Sequence, residues 1–188
     1  MTIKAPDFFQ SSKGFINKNK LKLIAVVCFL FILIVFILWI SLDKTPPSAD
    51  VSMHLQNSIE FRQYLAKGKI DNFLFAYKYY YPPFVYQLTA SAYTVFGTSQ
   101  HTAMLVFIPM MAIFFFSVFF IGATLFNELI GLMAAVISST FPFMTFMYRE
   151  YFLDFPCTAF TALAIAFLIK SNFFKCKRFT ILFFATVG

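Results

Sequence analysis

Twenty consecutive residues without a charge, Leu23 to Leu42, constrain this chain more than any other feature of it. A helix rises about 1.5 Å per residue and the hydrocarbon core of a bilayer is about 30 Å thick, so this run has the length of one crossing. A secretory leader is the rival reading, but its apolar stretch is usually about 7 to 15 residues and ends at a small-residue cleavage site. Here the run is longer and leads into Asp43, Lys44, Pro46 and Pro47. It reads as a retained first span, with Trp39 near its outer end. Composition agrees, since 60% of the residues are hydrophobic and 12% charged, against about 45 to 50% and about 25% in an ordinary globular chain. Lipid accepts that much apolar surface and water does not. The expected fold class is all-α, a polytopic transmembrane helical bundle with interfacial amphipathic helices in its first outer loop.

Residues 1–22 are expected to form a cytoplasmic tail, with Lys4, Lys13, Lys18, Lys20 and Lys22 against the single acid Asp7. The membrane module then occupies 23–188, with spans at about 23–42, 102–126, 130–148 and 152–169, and a cut-off one at 179–188. The outer loop, 43–101, holds a helix from Asp50 to about Gly68, with Asp50 capping its start and Val51, Leu55 and Ile59 along one face. It is too charged to cross and suits the interface. A second loop helix, Phe84 to Phe96, ends at Gly97 and is too short to cross. With the N-terminus cytoplasmic, the five tail lysines and Lys170, Lys175, Lys177 and Arg178 all fall inside, as the positive-inside rule asks. The implied localisation is multi-pass in the plasma (inner) membrane. The last apolar run is too short to finish a crossing, so the chain reads as the N-terminal fragment of a longer protein.

The net charge of +7 gathers beside apolar spans, which reports orientation and anionic lipid contact, not nucleic-acid binding. Three cysteines and two histidines, His54 and His101, stand too far apart to suggest a disulfide framework or a metal site. Ionisable groups near span boundaries are costly and therefore candidates for function. On the outer side these are Asp50, Lys78, Arg149, Glu150 and Asp154. Asp154, between Leu153 and Phe155, is the sharpest, because a carboxylate there is partly desolvated and needs a cation or ligand. Each has a structural alternative. Asp154 as a helix cap or an ion pair with Arg149, Asp50 as a plain N-cap, and Tyr77 to Pro83 as an aromatic belt with Lys78 snorkelling all stay open. His54 and His101 read as interfacial polar residues.

The order of features resembles the N-terminal part of a GT-C type glycosyltransferase, of the polyprenyl-phosphate-sugar-dependent kind that includes protein mannosyltransferases and aminoarabinose transferases. The residues carrying it are Pro47-Ser48-Ala49-Asp50 after the first span, Leu65-Ala66-Lys67-Gly68 closing the first loop helix, and Tyr81-Pro82-Pro83-Phe84-Val85-Tyr86. Val95-Phe96-Gly97-Thr98-Ser99 ends the second loop helix, Gly131-Leu132-Met133-Ala134-Ala135 runs on to Phe141-Pro142, and Arg149 and Asp154 open the next span. The likeness covers about residues 23 to 170. Two departures are Val51 where many members have Glu, and Tyr81 where many have Lys before the two prolines.

The resemblance implies an inverting transfer of a sugar from a polyprenyl-phosphate-linked donor to a lipid, glycan or protein acceptor on the outer face. Asp50 would act as base and Asp154, the second catalytic carboxylate, would orient a cation or bind the sugar or acceptor, with Lys78, Arg149, Tyr81, His54 and Glu150 binding substrate. It implies no cofactor, a divalent metal staying open. The competing classes are a transporter subunit, which needs polar groups along a mid-span path, and a non-catalytic scaffold or inactive truncated transferase.

Overall fold

The structure, a computed structural model, describes residues 18–75 and 81–187. Helices and their connections make up all of that, with no strand among the described residues. The first helix, α1 (Lys18–Leu42), is apolar all round. Leu21, Ala25, Phe29, Ile32, Phe36 and Ile40 are buried at intervals of three or four, while Leu23, Phe31, Ile34 and Leu38 on the other side are exposed. A helix with one packed stripe and an equally apolar outer face belongs in lipid.

Pro46 and Pro47 end the first segment, and α2 (Ala49–Ala66) begins after Ser48. Lys67 and Gly68 close it, Gly68 taking the left-handed φ of 65° that glycine adopts without a Cβ penalty. A short α3 (Ile70–Leu74) follows, then α4 (Phe84–Phe96), which stops at Gly97 with φ 84°. Both glycine stops fall where the sequence predicts them. The buried face of α2 shares Val51 with the one expected but is turned towards His54, Ser58 and Phe61, and Leu55 and Ile59 pack half-buried at its edge. Asp50 is not the cap either. Ser48 holds that position, and Asp50 sits in the first turn, where the helix dipole favours an acid.

The remaining helices form the membrane body. They are α5 (Gln100–Leu105), α6 (Phe107–Leu125), α7 (Glu128–Thr140), α8 (Pro142–Arg149), α9 (Asp154–Lys170) and α10 (Lys177–Val187). Lys20–Leu42 and Gln100–Leu125 are each long and apolar enough to cross a membrane. The stretch expected as one span over 130–148 is instead two helices, α7 and α8, bent by 57°. Pro142, which lacks an amide hydrogen, opens the second of them. α9 has 17 residues, at the lower end of what a crossing needs. The chain is an all-α integral membrane protein.

α6 is the hub, packing most extensively on α7 and α9. Gly122 and Gly131 let α6 and α7 meet backbone to backbone. A Cβ on Gly131 would lie 2.5 Å from the Phe119 carbonyl oxygen and 2.6 Å from the Ala123 nitrogen. Aromatic rings fill the upper body: Phe107 stacks on Phe155 at 6.0 Å, and Tyr148 meets Phe36 and Phe155 edge-on at 5.5 and 5.4 Å.

Candidate functional site

Two polar clusters lie around the loop helices and the corner between α8 and α9. The first is built on α2. His54 is 1% exposed, its Nδ1 2.9 Å from the Tyr86 hydroxyl on α4, and its Nε2 3.7 Å from Asp50 Oδ1 one turn earlier. The Tyr81 ring stands edge-on to the imidazole at 5.1 Å. Burial pushes the His54 pKa below its ordinary value, while the carboxylates of Asp50 and then Asp154 pull it back up. His54 is therefore a neutral, buried imidazole within electrostatic reach of both acids. This corrects the reading of His54 as an interfacial side chain. Its hydrogen-bond partner Tyr86 is 32 residues away in sequence, so no local pattern announces the burial. Asp50 itself is 53% exposed, open on the side away from His54.

A second device holds this cluster against the membrane body. Tyr151, in the α8–α9 corner, is fully buried and carries a left-handed backbone with φ 55°. Its hydroxyl is 3.1 Å from Ser58 Oγ on α2 and 2.5 Å from Thr89 Oγ1 on α4. Ser58 donates to the His54 carbonyl at 3.0 Å, so it accepts from Tyr151, and Tyr151 accepts from Thr89. The chain Thr89 to Tyr151 to Ser58 to His54 thus runs in one direction. Burial raises the Tyr151 and Tyr86 phenols, and raises that of Tyr93 to about 12, so all three keep their protons. A left-handed tyrosine costs about 1–2 kcal/mol and persists where its surroundings over-determine it. Here it places Asp154, three residues on, at the head of α9.

The Asp154 carboxylate is exposed, not partly desolvated as expected, and has no ion pair among the described residues; of the cations expected as its partner, Arg149 is not paired with it and Lys78 lies outside the described residues. Arg149 turns elsewhere. Its guanidinium lies 4.4 Å over the Trp39 ring, in a cleft with Asp43, Gln100 and His101. Its buried Nε has no hydrogen-bond partner. The indole face thus fixes a cation in this cleft, which Asp43 also lines. Asp43 is held below its ordinary pKa by hydrogen bonds from the Thr45 hydroxyl and backbone amide. Glu150 is half-buried at the end of α8.

The structure thus brings Asp50, His54 and Tyr81 together, sets Asp154 within electrostatic reach of His54, and puts Arg149 over Trp39 in a cleft with Asp43, Gln100 and His101. Sequence reasoning missed Tyr86, Tyr151, Ser58, Thr89 and Trp39 as parts of the site. Among the described residues no group of three or more His, Cys, Asp or Glu side chains is arranged to hold a metal ion.

The family model described as dolichyl-phosphate-mannose-protein mannosyltransferase matches residues 81–187. That segment contains Tyr81, Tyr86, Arg149, Glu150, Tyr151 and Asp154, whereas Asp50 and His54 precede it. No curated protein and no solved structure matches the chain.

Proposed function

Because the chain belongs to the dolichyl-phosphate-mannose-protein mannosyltransferase family, membrane glycosyltransferases of the GT-C kind, we propose that it moves a sugar from a polyprenyl-phosphate donor to an acceptor hydroxyl at the non-cytosolic surface. The acceptor oxygen attacks the anomeric carbon from the face opposite the phosphate. The carbon–oxygen bond to phosphate breaks, polyprenyl phosphate leaves with the electron pair, and the configuration inverts. Asp50 takes the acceptor proton as general base. Arg149, stacked on Trp39 with an unspent buried donor, holds the lipid phosphate and offsets the charge growing on it. Asp154 binds the sugar or acceptor from the head of α9.

His54 serves Asp50. With Tyr86 donating to Nδ1, the imidazole proton stays on Nε2 and faces the carboxylate at 3.7 Å. At that distance the N–H acts on the carboxylate as a neutral dipole and not through a hydrogen bond, and it brings no cation that would quench the base. The observation carrying the reading is this arrangement, a buried neutral histidine backing a half-open carboxylate beside a second acid. The proposed topology keeps the N-terminus cytoplasmic in the plasma (inner) membrane, with both acids outside.

The test is transfer from labelled polyprenyl-phosphate sugars by membranes carrying the protein and its Asp50→Asn and Asp154→Asn variants. Asp50→Asn should insert normally and lose about 10²- to 10⁴-fold in rate, the usual span for general-base loss. Undiminished transfer in both variants refutes the assignment.

A further inference from the structure

We propose that the groove between α6 and α9, at the end of the bundle remote from Asp154, binds an anionic phospholipid of the surrounding leaflet, its acyl chain in the groove and its phosphate on Lys170. The groove is open and holds about 380 Å³, within the range of roughly 300–1,000 Å³ typical of ligand pockets. Small residues, Ala112, Ser117 and Ala166, form part of the lining, and Phe116, Phe120 and Phe167 line it too. Lys170 is the charged residue of the lining.

That lysine is exposed, but its ammonium is held in place. Its Nζ lies 5.3 Å from the Phe120 ring and 4.7 Å from the Phe179 ring, so two aromatic faces hold the ammonium at the groove's end. The surroundings are basic. Lys175, Lys177 and Arg178 are exposed just beyond, and no acid follows Asp154 in the chain. Glu128 opens α7, which packs on α6, but does not line the groove. An apolar trough capped by a fixed cation matches one lipid shape, a hydrocarbon tail under a negatively charged headgroup.

The occupant is distinct from the sugar donor. Asp154 and Lys170 are the two ends of the 17-residue α9, so a phosphate on Lys170 lies about 24 Å along the helix from Asp154.

Native mass spectrometry of the detergent-purified protein, titrated with phosphatidylglycerol or with phosphatidylcholine of the same chains, tests this. Phosphatidylglycerol should bind preferentially. Lys170→Gln should weaken it about fivefold, the effect of one interfacial cation. Ala112→Phe, which fills the trough and spares the cation, should weaken it as well, with Ile113→Phe as the second filler if the first does not fold. Equal binding of the two lipids overturns the proposal. So does phosphatidylglycerol binding that responds to Lys170→Gln alone, which is adsorption to a basic surface, or to the fillers alone. Absence of any bound lipid, the result expected if another protein segment occupies the groove, overturns it too.

Discussion

Replacing Tyr151 by Phe removes a single oxygen and leaves the ring in place, so its cost isolates the hydrogen-bonded chain that ties α2 and α4 to the α8–α9 corner. Two buried bonds disappear, to Ser58 and to Thr89. Ser58 keeps its bond to the His54 carbonyl, so it is not orphaned. Thr89, 0% exposed, loses the acceptor for its hydroxyl. With about 1 kcal/mol net per buried bond and the larger penalty for an orphaned donor, the variant should lose about 1–3 kcal/mol. Tyr151→Ala should cost more, about 3–5 kcal/mol, because a cavity replaces a fully buried ring. Thermal unfolding in detergent, followed by circular dichroism, measures the first loss. A double-mutant cycle with Ser58→Ala should show a coupling of about 0.5 kcal/mol or more. A Tyr151→Phe variant within about 0.5 kcal/mol of the parent, with strictly additive effects, would refute the reasoning.

Three further outcomes follow from the same geometry. Gly131→Ala should destabilise by about 1–3 kcal/mol or more, because the new methyl meets the backbone of Phe119 and Ala123 and no side chain can yield; unchanged melting would show that α6 and α7 separate freely. His54 is held below its ordinary value of 6.5 by burial, so between that native value and 6.5 the unfolded chain binds the extra proton. Stability should be full above pH 6.5 and decline as pH falls through it towards the native value, and His54→Gln should flatten this slope in melting curves between about pH 5 and about pH 7.5. Asp154→Asn should leave the fold's stability close to that of the parent, since the carboxylate is exposed and without an ion pair among the described residues, so any lost transfer reports chemistry.

The helical architecture was legible because its signals are local. An uncharged run measures a span, Gly68 and Gly97 mark helix ends by their backbone freedom, and Pro142 marks a break. Even so, the proline's effect was underrated, since one expected span proved to be two helices at an angle. The candidate site was legible only as a set of charged residue types. His54 looks interfacial by type and is buried because Tyr86 and Tyr81 come to it from another helix. Tyr151 reads as one more aromatic at a membrane boundary, and its role depends on Ser58, 93 residues away. Arg149 was one of the partners that proximity in sequence offered Asp154, yet the face of Trp39, 110 positions earlier, takes it. Long-range packing decides these matters, and one-dimensional spacing does not carry it.

The bend between α7 and α8 also sets depth. α7 has 13 residues and α8 has 8, lengths of about 20 Å and about 12 Å. With α7 along the membrane normal and α8 tipped by 57°, the pair climbs about 26 Å, short of the roughly 30 Å of hydrocarbon. Bent in this way, the pair covers less of the membrane than a straight helix of as many residues would.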